Sequence, residues 1–297
     1  MMKIGVVGLG SMGSGIAASL LRAGHEVYGA DVNPRSVERL RAKGGSKAEL
    51  LAVVADLNAV VIVVLNQVQM EAVLFGDSAL VDRLRPGAVI IMCVTVPPEY
   101  AHSAASRCME RGILFLDAPI SGGAVKAAEG KLSIMAAGTQ DAFKVAGPAL
   151  RAMAEKVFEL GESAGAGSAM KAVNQMLAGI HIVAMAEAIT FAMTQGIRPE
   201  TFLEVIPVCA GTSWMLENRA PHVVAGDYTP HSAIDIWPKD LGIVLDTARA
   251  SKFAAPITAA ALQQFVAAAA TGLGREDDAA VAKVYARNAG LKLPGQI

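Results

Sequence analysis

The fold is decided by the stretch Val6-Val7-Gly8-Leu9-Gly10-Ser11-Met12-Gly13. It follows a short apolar run that begins at Lys3, and it precedes residues 16–21, whose apolar side chains recur with helical spacing. A break at Gly24-His25 leads into a second apolar run that ends at Asp31. This order predicts a strand, a tight glycine turn, a helix, and a second strand that ends in an acidic residue.

The glycines of this turn have the spacing of a dinucleotide-binding loop. Gly8 would allow the sharp turn, Gly10 would let the backbone approach a pyrophosphate, and Gly13 would let the helix lie close to the strand. The phosphates would rest on the unpaired N–H groups at the start of the helix. We therefore predict that the whole turn binds the cofactor, namely Gly8, Leu9, Gly10, Ser11, Met12 and Gly13.

Asp31 indicates which dinucleotide binds. It lies about 20 residues beyond the glycine motif, where a carboxylate accepts hydrogen bonds from the adenine ribose and repels a 2′-phosphate. An NADP site usually has an arginine at or just after this point, and the first arginine here is Arg35. The sequence therefore favours NAD as the cofactor, and Arg35 leaves NADP open.

The composition argues against several classes of partner. The formal net charge is −1 and the chain has no basic tract, so we expect no nucleic-acid partner. Residues 4–21 carry no charge, but five glycines and three serines interrupt them, so we expect no membrane partner and no export signal. The composition is 53% hydrophobic and only 18% charged, which predicts a large core plus a subunit interface.

Three cysteines are scattered along the chain, at Cys93, Cys108 and Cys209. They have neither a disulfide pattern nor metal-ligand spacing, and they are typical of a reducing cytoplasm. We predict that each is a small buried apolar residue, that the protein is cytoplasmic, and that it holds no metal.

The first half of the chain alternates short β-branched runs with helical stretches, which predicts an α/β fold with a parallel, doubly wound sheet. The predicted strands are residues 3–7, 26–30, 60–65, 88–92, 114–116, 133–136 and 157–160. After about residue 161 only long helical stretches follow, at residues 166–195, 199–208, 238–251, 256–270 and 277–287. We therefore predict an NAD-binding domain over residues 1–162 and an all-helical substrate and oligomerisation domain over residues 163–297.

Lys171 is the strongest catalytic candidate, because it is the only formally charged residue in residues 163–186. A helix that is apolar nearly all round is buried, and a buried lysine needs a partner or a function. Burial favours the neutral amine, which suits a general acid/base. Asn174 and Gln175 would share its helix face and could orient a hydroxyl or carbonyl group. The alternatives are a snorkelling lysine and a helix–helix hydrogen bond.

Two weaker candidates lie elsewhere in the chain. Ser121-Gly122-Gly123 follows a predicted strand, and its exposed N–H groups and hydroxyl would suit a substrate carboxylate, although such a turn is usually only structural. Lys239-Asp240 lies near the start of a predicted helix, and by itself the pair is uninformative.

Four motifs in this order resemble the β-hydroxyacid dehydrogenase family, which includes 3-hydroxyisobutyrate dehydrogenase and tartronate semialdehyde reductase. The resemblance covers essentially the whole chain. It rests on the glycine turn, on Asp117-Ala118-Pro119-Ile120-Ser121-Gly122-Gly123, on Gly165-Ala166-Gly167-Ser168-Ala169-Met170-Lys171-Ala172-Val173-Asn174-Gln175, and on Lys239-Asp240-Leu241. It implies an N-terminal Rossmann domain and a C-terminal helical domain joined by a long helix, usually in dimers or tetramers.

The resemblance also implies roles for particular residues. Lys171 would be the catalytic acid/base, and the turn at Ser121, Gly122 and Gly123 would bind the substrate carboxylate. Lys239 would lie where cofactor and substrate meet. Cofactor contacts are further implied for Leu65, Asn66 and Thr95.

The chain departs from the family pattern at three points. Gln175 follows Asn174 where many members have a second asparagine, so this amide reaches further. The loop after Leu65 begins with Asn66 rather than the frequent proline, and Thr95 follows Cys93-Val94 rather than a turn that contains serine.

The segments at residues 212–214 and 233–244 look most like a branch of the family that oxidises four-carbon sugar acids. Polar partners for such a substrate would be Asp235, Ser121 and Gln175, with Trp214 beside them. The alternative is that Trp214 and Trp237 simply fill a core between the domains. The predicted reaction is oxidation of a small hydroxy acid, with hydride transfer to NAD in a cleft between the domains. Alternatives are reduction of an aldehyde acid, a 3-hydroxyisobutyrate dehydrogenase, and a non-catalytic dinucleotide-binding sensor.

Overall fold

The computed structural model describes residues 1–77 and 79–295. The described chain divides into two compact units, of which the first is Met1–Lys171 and the second begins at Ala172. This division falls within a long helix. The domain boundary proposed from the sequence, after residue 162, lies at the approach to the same helix and stays a prediction.

The first unit is built on an eight-stranded sheet. Its strands are β1 (Lys3–Val7), β2 (Glu26–Ala30), β3 (Ala59–Ile62), β4 (Val89–Met92), β5 (Leu114–Asp117), β6 (Ile120–Ser121), β7 (Leu132–Gly138) and β8 (Ala154–Glu159). They lie in the order β2-β1-β3-β4-β5-β7-β6, with β8 paired to β7. Strands β1 to β5 pair in parallel, which places their carboxyl ends at one edge.

Among the described residues, seven α-helices accompany this sheet. They are α1 (Ser11–Arg22), α2 (Pro34–Ala42), α3 (Gln67–Phe75), α4 (Leu80–Arg83), α5 (Pro98–Met109), α6 (Gly123–Glu129) and α7 (Gln140–Met153). Proline opens α2 and α5, where its missing N–H is harmless. The side chains of Asn33, Asn66 and Thr139 cap α2, α3 and α7 by accepting hydrogen bonds from backbone N–H groups.

Alternating strand residues fill two cores, one on each face of the sheet. Val61 and Ile91 belong to the core that contains residues of α1 and α7. Val60 and Ile90, their chain neighbours, belong to the core that contains residues of α3 and α5. All four side chains are fully buried, as expected for central strands covered on both faces. The predicted doubly wound arrangement is therefore confirmed.

The prediction that every strand runs parallel is wrong for β7, which pairs antiparallel with β5 and with β6. The reason is the short connection. Two parallel strands need a crossover connection of a dozen or more residues, which returns the chain to the edge where the first strand began. Helix α6 has only seven residues and spans ~10 Å, so it is too short for this role. The chain turns back through β6 instead, so the sheet is mixed.

Strand β8 begins at Ala154, three residues before its predicted start. It lies off the main path of the sheet, and most of its residues are exposed. Glu155 and Lys156 are charged, and charged residues on an edge strand disfavour its pairing with another chain. Because they interrupt the apolar pattern, the sequence did not predict the first part of this strand.

The second unit is helical. Helix α8 (Ala166–Thr194) continues into it from the first unit and is followed by α9 (Pro199–Val205), α10 (Trp214–Ala225), α11 (Ile236–Ala250), α12 (Pro256–Ala268) and α13 (Ala282–Asn288). Within the described part of this unit, the only β pairing is an isolated bridge between Ala233 and Asp277. The predicted all-helical character is confirmed.

Helix α10 was not predicted, because Pro221 lies in its interior. An interior proline removes a hydrogen bond and destabilises a helix by ~3 kcal/mol. Packing offsets this loss: Leu216, Ala220 and Val223 are buried in the unit's core. The Ser213 side chain also caps the helix by accepting from the N–H of Leu216.

Among the described helices, α8 alone is long and apolar enough to cross a membrane by length and composition. Ile182, Met185, Ala186 and Ile189 from this helix line the core of the second unit. Packing within the unit accounts for the apolar composition of that part of the helix.

Burial of the cysteines is confirmed for two of the three. Cys93 and Cys108 are buried, and burial raises the pKa of each thiol to about 12, which keeps it protonated and unreactive. The prediction is wrong for Cys209, which is exposed. It follows the short 3₁₀ segment Ile206–Val208, outside the buried helix faces that the apolar pattern detects.

Candidate active site

The glycine turn between β1 and α1 needs glycine at two positions for reasons of space. Gly8 has a φ of +88°, and a Cβ there would lie 2.5 Å from the carbonyl oxygen of Val63. A Cβ on Gly13 would lie 1.8 Å from the carbonyl oxygen of Gly8. The turn can therefore close onto the first turn of α1 only because both residues lack side chains.

Gly10 differs from these two, because a Cβ there would meet nothing within 4 Å. It is the N-cap residue of α1, and it has no side chain that could accept from the first N–H groups of the helix. Ser11 is exposed beside it, Met12 is half-buried, and Leu9 is buried. An open backbone surface at an uncapped helix start is what a pyrophosphate group requires.

Asp31, at the end of β2, organises this turn directly. Its Oδ2 accepts from the N–H of Leu9 at 2.6 Å, and its Oδ1 accepts from the N–H of Asn33 at 2.8 Å. Each carboxylate oxygen keeps capacity for a further donor. The residue therefore holds the glycine turn while it remains able to accept hydrogen bonds from a ribose.

The remaining predicted cofactor contacts lie after the neighbouring strands. Leu65 and Asn66 follow β3, where Leu65 is half exposed and Asn66 caps α3 by accepting from the N–H of Gln69 at 2.9 Å. Thr95 is half-buried between β4 and α5. These loops share the carboxyl edge of the sheet with the glycine turn, which is where such sheets bind ligands.

Asp117, the last residue of β5, anchors the start of α8. Its Oδ2 accepts from the N–H groups of Gly165 and Ser168 at 2.8 and 2.9 Å, and its Oδ1 accepts from the Ser168 hydroxyl at 2.7 Å. The residue is fully buried. Burial raises the pKa of Asp117, and the hydrogen bonds from Ser168 and from the backbone N–H groups act against that rise.

The glycines before Lys171 make this anchor possible. Gly165 has a φ of +106°, which side-chain-bearing residues rarely adopt. A Cβ on Gly167 would lie 2.5 Å from the carbonyl oxygen of Met135 and 2.6 Å from that of Asp117. The first turn of α8 therefore lies directly against the sheet.

Lys171 lies on the second turn of α8 and is only 8% exposed. Its Nζ donates to the carbonyl oxygen of Ile120 at 2.9 Å. Ile120 immediately precedes Ser121, so the structure brings the predicted acid/base beside the predicted carboxylate turn. Within that turn Gly122 and Gly123 have φ values of +134° and +76°, and a Cβ on Gly123 would meet nothing within 4 Å.

In the second unit a chain of polar contacts joins α8 to α11. Asn174 Nδ2 donates to Gln175 Oε1 at 2.9 Å, and Gln175 Nε2 donates to Asp240 Oδ2 at 2.5 Å. Lys239 Nζ forms an ion pair with Asp240 Oδ1 at 2.5 Å. Asp240 thus holds both the amide of Gln175 and the ammonium group of Lys239.

Trp214 and Asp235 occupy exposed positions in the second unit. Trp214 is the first residue of α10 and is 57% exposed. Asp235 is the N-cap residue of α11, and its carboxylate lies against Gly274, where a Cβ would be 2.3 Å from Oδ1. Neither side chain has a hydrogen bond or ion pair to the Asn174–Gln175–Asp240–Lys239 contacts in the part of the chain that the structure describes.

Sequence reasoning missed the importance of Asp117 and Asp240. Both were noted only as members of motifs, and both are buried carboxylates that position the predicted catalytic residues. A buried aspartate that directly follows an apolar strand is a detectable signal, since an isolated acidic residue there needs several donors. Asp240 gave no such signal, because a Lys-Asp pair in a helix usually lies in solvent.

Comparison with known families gives two matches that together span most of the chain. The NAD-binding domain of 6-phosphogluconate dehydrogenase matches residues 3–161. The NAD-binding domain of NADP-dependent 3-hydroxyisobutyrate dehydrogenase matches residues 165–285.

Individual proteins match over nearly the full length. L-Threonate dehydrogenase from Cupriavidus necator is 48% identical over 99% of this chain and 98% of its own length. The enzyme of the same name from Escherichia coli K12 is 43% identical over 98% and 96%. The crystal structure of 3-hydroxyisobutyrate dehydrogenase from Salmonella typhimurium has a TM-score of 0.91 at 43% identity, and the match covers 96% of this chain and 100% of that one. These matches confirm an N-terminal Rossmann domain and an all-helical C-terminal domain.

We expect Gly13→Ala to reduce stability and Gly10→Ala to reduce NAD affinity. Gly13→Ala should lower the melting temperature, because its Cβ overlaps the Gly8 carbonyl group. Gly10→Ala should fold normally and bind NAD more weakly, because its Cβ would enter the open space in front of the turn. Thermal unfolding and NAD titration of both variants would test this. Equal NAD affinity of Gly10→Ala and the wild type would contradict it.

We expect Asp117→Ala to lower the free energy of unfolding by at least ~3 kcal/mol, because three buried donors lose their acceptor. Urea unfolding would measure the change. Asp141→Ala is a matched control, since Asp141 is an exposed acidic residue in the first turn of α7. Asp141→Ala should lower the free energy of unfolding by at most ~1 kcal/mol. Equal losses for the two variants would contradict the anchoring role of Asp117.

Proposed function

The chain belongs to the family of 3-hydroxyisobutyrate dehydrogenase-like β-hydroxyacid dehydrogenases, and on that premise we propose that it oxidises L-threonate to 2-dehydro-L-erythronate. It is an NAD(P)-dependent oxidoreductase that acts on a CH–OH group. The relatives that carry the substrate proposal are the L-threonate dehydrogenases at 43–48% identity. One structural observation carries the catalytic proposal, namely the buried Lys171 beside the Ser121 turn.

The residues of the first unit fit a dinucleotide. The open Gly10 and the uncapped start of α1 would hold the pyrophosphate, and Asp31 would accept from the adenine ribose. We propose further contacts from Leu65, Asn66 and Thr95. NAD, when bound, supplies the carbon that accepts the hydride. The negative charge of Asp31 supports NAD over NADP, because it would repel a 2′-phosphate.

The turn at Ser121, Gly122 and Gly123 would bind the substrate carboxylate. Ser121 is half-buried in β6, and the two glycines have positive φ values. A Cβ on Gly123 would meet nothing within 4 Å, so the backbone there is open. Backbone N–H groups in such a turn, together with the hydroxyl, provide donors for an anion. The carboxylate would then lie close to Lys171.

Lys171 would remove the proton from the substrate hydroxyl. An amine must be neutral to accept that proton on its lone pair. The carbonyl oxygen of Ile120 accepts a hydrogen bond from Nζ of Lys171 and so holds the nitrogen in place. Lys171 is only 8% exposed, so little of its side chain is in contact with bulk water. During reduction of an aldehyde or keto acid, the same group would return the proton.

Asn174, Gln175 and Lys239 would orient the substrate in the second unit. The amides can hold the reacting oxygen without exchanging protons, and the ammonium group of Lys239 can attract anionic groups of substrate or cofactor. Asp240 fixes both kinds of donor. We propose that Trp214 and Asp235 contact the distal hydroxyl groups of the substrate, for which their exposure is the support.

Two reactions within the same family are the alternatives. One is reduction of tartronate semialdehyde, and the other is oxidation of 3-hydroxyisobutyrate, which the name of the Salmonella typhimurium protein favours. The non-catalytic sensor is disfavoured, since the relatives that match over the full chain are dehydrogenases.

We further propose that the protein is a cytoplasmic homodimer or homotetramer. Large apolar side chains remain exposed on α8, where Val173, Leu177 and Phe191 are 52%, 50% and 65% exposed. Exposed apolar surface of this kind on a helix is typical of a subunit interface.

A panel of hydroxy acids would test the substrate proposal. Purified protein should oxidise L-threonate with a higher kcat/KM than 3-hydroxyisobutyrate or D-glycerate, and NAD should support the reaction better than NADP. Reduction of tartronate semialdehyde, measured in parallel, would separate the alternatives. Faster turnover of 3-hydroxyisobutyrate, or a preference for NADP, would overturn the corresponding part of the proposal.

Lys171→Ala should lower kcat by roughly 10²–10⁴-fold, because the proton then has no positioned acceptor. NAD affinity should change little, since the cofactor residues are not altered. Lys144→Ala, at an exposed lysine of α7, serves as the control and should retain wild-type turnover. Turnover of Lys171→Ala within a few-fold of this control would contradict the acid/base role.

A further inference from the structure

Asp240 can hold Gln175 only if α8 and α11 lie very close together. The donor Gln175 Nε2 belongs to α8 and the acceptor Asp240 Oδ2 belongs to α11, and the two atoms are 2.5 Å apart. A shift of about 1 Å between the helices would break this bond, because N–H···O bonds weaken beyond ~3.2 Å. Whatever sets the helix separation therefore sets the position of the amide.

Gly179 lies one helical turn after Gln175 and faces α11. A Cβ there would lie 2.9 and 3.1 Å from the two δ-carbons of Leu241, and 3.1 Å from Cε3 of Trp237. Its backbone is helical, so glycine is not needed for conformation. Glycine inside a helix is ~1 kcal/mol less favourable than alanine, so the missing Cβ points to a need for space.

Movement of Trp237 away from Gly179 is restrained by two further contacts. Its ring stacks on Phe265 with centroids 5.3 Å apart and planes inclined at 15°. Its Nε1 donates to Asp278 Oδ2 at 3.0 Å, and Asp278 Oδ1 accepts from Arg219 Nε at 2.5 Å. Asp278 is fully buried and Trp237 is 3% exposed.

Trp237 is also the second residue of α11, directly ahead of the functional pair. Lys239 and Asp240 follow it within the same helical turn. Displacement of the indole would therefore move Lys239 and Asp240 with it.

We infer that Gly179 and Trp237 are positioning residues: the close contact between them fixes the separation of α8 and α11 at which Gln175 and Lys239 both reach Asp240. Asp278 and Arg219 hold Trp237 in that position. The inference rests on the proposed function only in that Gln175 and Lys239 serve catalysis.

A double-mutant cycle tests this positioning role. Gly179→Ala should lower kcat about tenfold in the wild-type background and less than about twofold in a Gln175→Ala background, because the coupled contact is already absent there. A merely structural defect would lower kcat equally in both backgrounds. NAD affinity should not change in either.

Gly242→Ala is the matched control, since Gly242 lies in α11 and a Cβ there would meet nothing within 4 Å. It should retain wild-type kcat. Trp237→Phe is a second variant, which keeps an aromatic ring and removes the N–H that Asp278 accepts. Trp237→Phe should likewise lower kcat more in the wild-type background than in the Gln175→Ala background. Additive effects in both cycles, or a Gly179→Ala variant as active as Gly242→Ala, would overturn the inference.

A crystal structure of Gly179→Ala separates this inference from the proposed function. The distance from Gln175 Nε2 to Asp240 Oδ2 should lengthen by several tenths of an ångström in the variant, because the added Cβ would lie 2.9–3.1 Å from side-chain atoms of α11. An unchanged distance would overturn the positioning role. Absence of turnover by the wild type on every hydroxy acid would overturn the proposed function alone.

Discussion

The site depends on one buried carboxylate, that of Asp117, at the point where the sheet meets α8. It accepts hydrogen bonds from two backbone N–H groups and one hydroxyl group at the start of this helix. An anion at a helix N-terminus is favoured by the helix dipole, and the low dielectric of the interior strengthens each bond. Because Lys171 lies one turn further along, its position relative to the Ser121 turn is fixed by Asp117.

The two carboxylates that matter most have different environments. Asp117 accepts from uncharged donors, and these hydrogen bonds act against the rise in its pKa that burial causes. Asp240 faces the charged Lys239 and the amide of Gln175. Asp117 therefore stabilises the fold at the start of α8. Asp240 links the ammonium group of Lys239 to the amide of Gln175, which is proposed to contact the substrate. Asp117 ends β5 against Gly167, and Asp240 lies in α11, which packs against Gly179. In both places a glycine allows the backbone to approach closely.

The sequence predicted those parts of the fold that depend on local patterns. The glycine turn, the apolar strands and the long helix all have strong periodic signals, and the resemblance placed Lys171 and Ser121 in one site. The antiparallel β7 was not predictable, because its direction depends on the short α6 rather than on its own residues. Helix α10 was hidden by Pro221, whose cost is offset by tertiary packing. Asp240 could be assigned only from the contacts that it makes, whereas Asp117, at the end of an apolar strand, gave a signal in the sequence that was not used.

Asp31 constrains any attempt to engineer coenzyme preference in this protein. The usual strategy replaces the acidic residue after the second strand with a small or basic one, in order to admit a phosphorylated ribose. Here that replacement would also release the N–H of Leu9, which Asp31 holds at 2.6 Å, and would loosen the loop that cradles the pyrophosphate. A successful switch would therefore have to retain an uncharged acceptor at position 31 and introduce the compensating cation elsewhere.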